Sequence, residues 1–210
     1  MTATPGNLFI ISAPSGAGKT SLVKALLQTG IDLSLSVSYT TRAARAEEVD
    51  GRDYHFISCE DFEQRQKQDD FLESAQVYGN FYGTSKNWIN QAIMGGRDIL
   101  LEIDSQGARQ VRRIFPQAIA IFVLPPSLAA LEMRLRLRAQ DSPEAIGRRL
   151  AAAREEINHV REYDYVIINE ELNHASHELR CIVQAERLRT ARQLAHHRNL
   201  ITQLGSISVP

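Results

Sequence analysis

The sequence predicts an α/β fold, a parallel sheet flanked by helices, interrupted by two segments that do not share its rhythm. Three observations carry this. Four short runs, Leu8–Ile11, Asp98–Ile103, Ala118–Leu124 and Tyr165–Ile168, recur along the chain. Each is apolar at almost every consecutive position, so both faces need cover, as in a parallel sheet between helical layers. Stretches with helical apolar spacing separate the runs, which is the strand–helix alternation of an α/β domain.

In chain order, Leu8–Ile11 reads as a buried first strand and Pro14 to Gly18 as a Pro/Ser/Gly-rich loop. Thr20–Gln28 follow as a helix with Leu22, Val23, Leu26 and Leu27 inward, stopped by Gly30. From Ser36 to Asn87 the chain is polar and rich in aromatics, among them Tyr39, Tyr54, Phe56, Phe71 and Tyr82. Residues 38–87 carry six Lys/Arg against ten Asp/Glu, and this net acidic stretch reads as a small inserted unit with its own binding surface. Helices are expected over Gln106–Ile114 and Ala145–Val160. Ser127–Ile157 is helical and arginine-rich, with Arg134, Arg136, Arg138, Arg148, Arg149 and Arg154. Pro125-Pro126 introduces it, and Asp141-Ser142-Pro143-Glu144 marks a turn and a fresh helix start. It forms a second insertion, about 127–157. The core is then about 1–37, 88–126 and 158–210. Its last part, Ala175–His196, reads as one long amphipathic helix with Leu179, Ile182, Val183, Leu188 and Leu194 inward.

The chain has 210 residues, which at roughly 150 per domain favours one domain with insertions. Hydrophobic residues make up 43% and charged residues 23%, enough to fill a core. The 24 basic and 25 acidic residues give a net charge of −1, which argues against a dedicated nucleic-acid-binding protein. Cys59 and Cys181 stand far apart and form neither a zinc motif nor a disulfide framework, so free thiols in a reducing compartment are expected. The N-terminus lacks a basic, apolar leader, and the longest apolar run, Ala118–Leu124, is far short of the ~20 residues that span a bilayer. A cytoplasmic protein without a membrane partner is the expectation. Composition leaves monomer and homo-oligomer both open.

Ala13-Pro14-Ser15-Gly16-Ala17-Gly18-Lys19-Thr20 matches the phosphate-binding pattern G-x-x-x-x-G-K-[ST] except at its first position, where Ala replaces Gly. The chemistry needs small residues, because successive backbone N–H groups must curl around phosphate oxygens at a helix N-terminus. Lys19 can reach the β- and γ-phosphates, and the Thr20 hydroxyl can ligate Mg²⁺ that arrives with ATP. Ala13 is acceptable only if its position does not need a positive φ. Such a loop defines a nucleotide site and leaves the second substrate open.

The first insertion supplies candidates for the second substrate's site. Ser36-Val37-Ser38-Tyr39-Thr40-Thr41-Arg42-Ala43-Ala44-Arg45 ends in two arginines, and Tyr54 follows in Gly51-Arg52-Asp53-Tyr54-His55-Phe56. Two guanidinium forks and a phenol suit a terminal phosphate monoester. Asp104 follows an apolar strand, where ligands of open α/β sheets bind, and Glu102 lies two positions earlier.

Together with Phe71-Leu72-Glu73, Gly79-Asn80-x-Tyr82-Gly83-Thr84, Glu102-Ile103-Asp104-x-Gln106-Gly107 and Val166-Ile167-Ile168-Asn169, these segments resemble the guanylate kinase family over almost the whole chain. The resemblance implies a P-loop NTPase-type core carrying ATP at Ala13 to Thr20, an inserted GMP-binding unit and a helical lid. It implies that Arg42, Arg45, Tyr54 and Tyr82 hold the GMP phosphate, and that Ser38, Glu73, Thr84 and Asp104 recognise guanine. Arg134, Arg138 and Arg149 would close over the transferring phosphoryl group, with Lys19, Arg42, Arg138 and Arg149 catalytic. Arg134 and Asn169 would belong to the ATP site, and Thr20 and Asp104, the latter through water, to Mg²⁺. Where the family often has Asp, this chain has Glu102, whose role the sequence leaves open between metal companion and structural hydrogen bond.

The guanine assignment that the resemblance implies is chemically coherent. Guanine offers N1–H and its 2-amino group side by side, two donors for a carboxylate such as Glu73, whereas adenine does not. The implied partners are the small molecules ATP and GMP, and the implied reaction is ATP + GMP ⇌ ADP + GDP by in-line transfer. Three other readings stay in view, one of them an RNA or partner site on the arginine-bearing C-terminal helix, which the net charge of −1 disfavours for nucleic acid. A scaffold that binds phosphorylated partners in a GMP-type pocket would not need Lys19 and Thr20. A kinase for another acceptor, such as a ribose phosphate, would not need Ser38, Glu73 and Thr84.

Overall fold

A computed structural model describes residues 4–77, 79–137 and 143–205. The first strand, β1 (Leu8–Ser12), is buried at every position and runs into the glycine loop and α1 (Lys19–Gln28). A two-residue strand, β2 (Ser34–Leu35), too short to leave a hydropathy pattern, returns the chain to the sheet. The insertion builds β3 (Tyr39–Thr40), β4 (His55–Phe56), α2 (Cys59–Lys67), β5 (Phe71–Val77) and β6 (Asn80–Ser85). Ser58 and Ser85 cap α2 and the next helix, α3 (Lys86–Met94), by accepting from Asp61 N and Trp88 N. Then come β7 (Ile99–Glu102), α4 (Ser105–Ile114) and β8 (Ile119–Leu124). The arginine-rich segment forms α5 (Leu128–Leu137) and α6 (Pro143–Asn158), and β9 (Tyr165–Ile168) completes the strands.

The core sheet has the order β2-β7-β1-β8-β9, and every pairing in it is parallel. Alternate residues of β1 point to opposite layers. Phe9 and Ile11 pack with Leu22, Val23, Leu26, Leu179 and Val183, while Leu8 and Ile10 pack with Ile89, Ala92, Ala108 and Val111. A strand with both faces covered needs apolar side chains throughout, which is why Leu8–Ile11 shows no alternation. The edge strand β9 departs from the expectation of cover on both faces. Ile167 is buried, but Val166 and Ile168 are 47% and 46% exposed.

The insertion carries a separate sheet of order β4-β3-β6-β5. Its aromatics pack among themselves, with Phe62 stacked on Phe71 at 4.5 Å and on Phe81 at 5.4 Å between ring centroids. The arginine-rich pair of helices has a small core of its own, Leu131, Leu135, Ile146 and Ala153.

The C-terminal expectation needs correction. Instead of one helix over 175–196, the chain forms α7 (Leu172–Arg187), α8 (Thr190–His196) and α9 (Arg198–Leu204). Arg189 is extended (φ −55°, ψ 137°), and Leu188 is 68% exposed rather than inward. The cause is tertiary. Arg187 is pinned to Asp98 (2.7 Å) and to the Asp32 carbonyl, and its own carbonyl accepts from the Gln193 side chain at 3.0 Å. Those bonds hold the end of α7 against the start of β7 and turn the following helix away. No helix among the described residues is long and apolar enough to cross a membrane.

Candidate active site

The glycine loop leaves β1 and enters α1 with Gly16 and Gly18 both at φ 91°. Positive φ turns successive N–H groups inward, and glycine reaches it without steric cost. Space sets a second constraint. A Cβ on Gly18 would lie 2.5 Å from the Asn169 side-chain nitrogen, and one on Gly16 would lie 2.9 Å from Leu135. Ala13 is buried and is not among the positive-φ residues, so alanine fits there. Pro14 accepts from Ala17 N at 3.0 Å, which closes the turn beside Ser15.

Lys19 reaches across the carboxyl end of the sheet and donates to the Ile103 carbonyl at 3.0 Å. The Thr20 hydroxyl donates to Glu102, whose backbone is in register with Ile11 on the neighbouring strand. Of the two acids at the end of β7, Glu102 and Asp104, it is therefore Glu102 that touches Thr20. Asp104 instead caps α4, its Oδ1 accepting from Gly107 N at 2.8 Å. A hydroxyl and a carboxylate oxygen at the end of a nucleotide loop are hard donors that suit Mg²⁺, which keeps most of its ligands as water and phosphate.

Two residues lock the loop from a distance. Asn169, buried at the end of β9, donates to the Ala17 carbonyl at 2.8 Å. Arg134 of α5 donates to the same carbonyl at 3.3 Å and to the Asn169 carbonyl at 2.8 Å. Arg149 sits half-buried on α6. Arg138 lies outside the described residues. Among the described residues Arg136 makes a surface pair with Glu132, at 2.6 Å, and Arg148 is exposed.

The second sheet brings the other candidates together. Glu73 is 4% exposed, and its Oε1 accepts from the Thr84 hydroxyl at 2.6 Å. Burial pushes its carboxyl up to about 7, with nearby Asp104 adding to the rise and Thr84 and Lys19 opposing it. Ser38 lies one residue before β3, where its carbonyl accepts from His55 N. Tyr54 and Tyr82 meet edge-to-face at 5.9 Å. Burial, reinforced by Glu102, pushes the Tyr54 phenol up to about 12, so it stays a hydrogen-bond donor.

The two arginines of the 36–45 segment differ. The Arg42 side chain is only 17% exposed, lies 5.5 Å from the Tyr54 ring, and bonds both oxygens of Glu48 at 2.8 and 2.9 Å. The Arg45 side chain is 77% exposed; its backbone N–H donates to Glu48 at 2.8 Å, and its guanidinium lies 3.8 Å from the same carboxylate. Burial tends to raise the Glu48 carboxyl, but the Arg45 amide and the Arg42 guanidinium outweigh it and hold it below the ordinary range. Sequence reasoning missed Glu48, and also Glu156 on α6. Burial pushes Glu156 up to about 7, moderated by Lys19 and reinforced by Asp104, so it faces the same cleft. No signal in Glu155-Glu156 separates the inward acid from its exposed neighbour.

A phosphate loop, an acid at the adjacent strand end and an inserted sheet with an arginine–tyrosine cluster define a P-loop kinase, which transfers a phosphoryl group from a nucleoside triphosphate to a second substrate and releases the diphosphate. The family model described as guanylate kinase matches residues 5–186. A guanylate kinase of Nitrosospira multiformis is 70% identical over 209 residues, covering 100% of both chains. One of Nitrosomonas europaea is 55% identical over 94% of this chain and 98% of its own. A crystal structure of guanylate kinase from Anaplasma phagocytophilum superimposes with a TM-score of 0.80 at 32% identity, over 99% of this chain and 100% of that one. The chain belongs to the guanylate kinase family.

Proposed function

We infer that the chain catalyses ATP + GMP ⇌ ADP + GDP, and we propose residue roles for that reaction from the site. The observation that carries the acceptor assignment is Glu73, a buried carboxylate held by Thr84 within Coulombic reach of Asp104 and Lys19. A buried acceptor of this kind rewards a base with two adjacent donors and penalises one without them. In this reading Ser38, Glu73, Thr84 and Asp104 read guanine, and Arg42, Arg45, Tyr54 and Tyr82 hold its phosphate. Arg45, already exposed, swings in to complete the second fork.

ATP lies along Ala13 to Thr20, with its phosphates on the loop N–H groups, and Arg134 and Asn169 keep the loop in shape. Mg²⁺ supplies charge neutralisation at the β- and γ-phosphates, and Thr20 with Glu102 or a water on Asp104 would hold it. An oxygen of the GMP phosphate attacks Pγ in line, the bond from Pγ to the bridging oxygen breaks, and ADP leaves. Lys19, Arg42, Arg138 and Arg149 stabilise the charge that spreads over the equatorial oxygens. The acceptor is already an anion at neutral pH, so no strong general base is needed. The unit at about 38–87 and the helices at about 127–157 are the two parts that close on the substrates and exclude water. Cytoplasmic placement belongs to the same reading, and the two exposed free thiols, Cys59 and Cys181, fit it.

The experiment is ADP release with Mg-ATP against GMP, dGMP, AMP, UMP, CMP and ribose phosphates. Turnover restricted to GMP, with dGMP weaker at most, is the expected result. Turnover on a non-guanine acceptor would overturn Glu73 and its neighbours as base readers. A folded protein without turnover on any acceptor would overturn the enzyme itself.

A further inference from the structure

The carboxylate that reads the base in the proposed function does not sit on regular sheet. Pairing of β5 with β6 shifts register between Phe71 and Glu73, so a bulge immediately precedes Glu73 and re-aims it. A bulge weakens the ladder at the place where a side chain must be held most firmly. Moreover, β5 is an edge strand of its sheet, with β6 on one side only.

The unpaired side of β5 is met by one residue of α4. Gln110 Oε1 accepts from Ser74 N at 3.1 Å, and Gln110 Nε2 donates to Ser74 O at 2.8 Å. A side-chain amide carries the donor and acceptor of a peptide group, so Gln110 acts there as a one-residue neighbouring strand. Ser74 is the residue after Glu73. Its side chain is held as well, since Gln66 of α2 donates to Ser74 Oγ at 3.1 Å. One turn earlier on α4, Gly107 lies against the base-reading acid, because a Cβ there would be 2.6 Å from Glu73 Oε2. The helix itself is capped by Asp104, two residues beyond Glu102.

We propose that Gln110 is a positioning residue for guanine recognition. It fixes the β5 main chain to α4, so the place of Glu73 is set from the core helix that also carries Asp104. The proposal rests on the reading of Glu73 as the base acceptor. Gln110 touches neither substrate. A misplaced carboxylate loses its discrimination between donors before it loses its charge, and positioning errors near 1 Å are enough to do so.

The test compares wild type with Gln110→Met, which keeps length and removes both bonds, and Gln110→Glu, which keeps an acceptor and removes the donor. Steady-state KM for GMP and for ATP is measured, together with the ratio of kcat/KM for GMP to that for IMP. IMP lacks only the 2-amino group, so the ratio reports how well that donor is read. Gln110→Met should raise KM for GMP about tenfold through two lost hydrogen bonds, leave KM for ATP within about twofold, and compress the GMP-to-IMP ratio. Gln110→Glu, which sets a carboxylate oxygen against the Ser74 carbonyl, should compress the ratio at least as far, and it answers the question if the Met variant does not fold. An unchanged ratio, or equal rises in both KM values, would mean that Gln110 only stabilises the fold and would overturn the proposal. Glu73→Gln is the control. If it leaves the wild-type ratio unaltered, the base-reading assignment fails, and the role of Gln110 fails with it.

Discussion

Glu73 allows the acceptor site to be tested with pH alone. Its carboxyl is pushed up to about 7 from an ordinary 4.5, with burial as the main cause. A group of that pKa is about nine-tenths ionised at pH 8 and about one-tenth at pH 6. The donors of guanine pair with the ionised form. KM for GMP should therefore rise about tenfold as pH falls from 8 to 6, while KM for ATP follows a flatter course. The acceptor phosphate titrates nearby, with a second pKa of about 6, so the wild-type profile is divided by that of Glu73→Gln, which retains only the phosphate. A quotient flat across this range would refute the reasoning. The same shift has a stability side. The folded pKa lies above the unfolded one, so the folded state binds more protons between pH 4.5 and 7, and stability falls as pH rises through that window. A shift of this size corresponds to about 3 kcal/mol, fully present as a penalty above pH 7. Ligand-free Glu73→Gln, which retains an acceptor for Thr84, should melt above wild type at pH 8 and level with it at pH 5. The penalty is what a carboxylate kept dry for a substrate costs the empty protein.

Three further outcomes are expected. Lys19→Ala should reduce kcat by ~10²–10³-fold with the circular dichroism spectrum unchanged, since its one visible bond, to the Ile103 carbonyl, is not structural support for the sheet; near-normal turnover would remove Lys19 from the mechanism. Gly18→Ala should lower stability by about 2 kcal/mol, from the positive φ and the close Asn169 amide, which is a fall of ~4–8 °C in Tm, and should raise KM for ATP. A wild-type melt would show that the loop relaxes freely. Glu102→Ala should raise the Mg²⁺ concentration for half-maximal turnover; if Asp104→Asn moves that midpoint and Glu102→Ala does not, the metal acid is Asp104.

The parallel core was legible because its strands are buried on both faces, and a run such as Leu8–Ile11 has no other use in a chain this size. The glycine loop was legible because its chemistry is contiguous, eight residues that act together and stand together. Where the structure departs from expectation, the deciding partner is remote in sequence. The break after α7 depends on Arg187 meeting Asp98 and Asp32, which no local propensity at Leu188 reports. The bare face of β9 lies at the sheet edge, and the apolar character of Val166 and Ile168 does not reveal it. In the site, the arginines and tyrosines came from spacing, and the guanine readers came from family resemblance. Glu48 was hidden because it pairs with Arg42 across six residues of irregular chain, where no periodicity applies. Gln110 was hidden because a glutamine on a surface-type helix carries no signal until its 36-residue reach to Ser74 is seen.

The carbonyl of Ala17 has a consequence for how the nucleotide loop can be inherited. It accepts one bond from a residue 117 positions away and another from a residue 152 positions away. The eight-letter string is therefore not a portable cassette. Grafted onto another strand and helix, it would bring its glycines without the two distant amide and guanidinium groups that define the curvature of those glycines here. Conversely, a chain can retain the string and lose the shape, by changing Arg134 or Asn169 alone. Degeneration of such an enzyme into a non-catalytic descendant could begin outside the signature by which it would still be recognised.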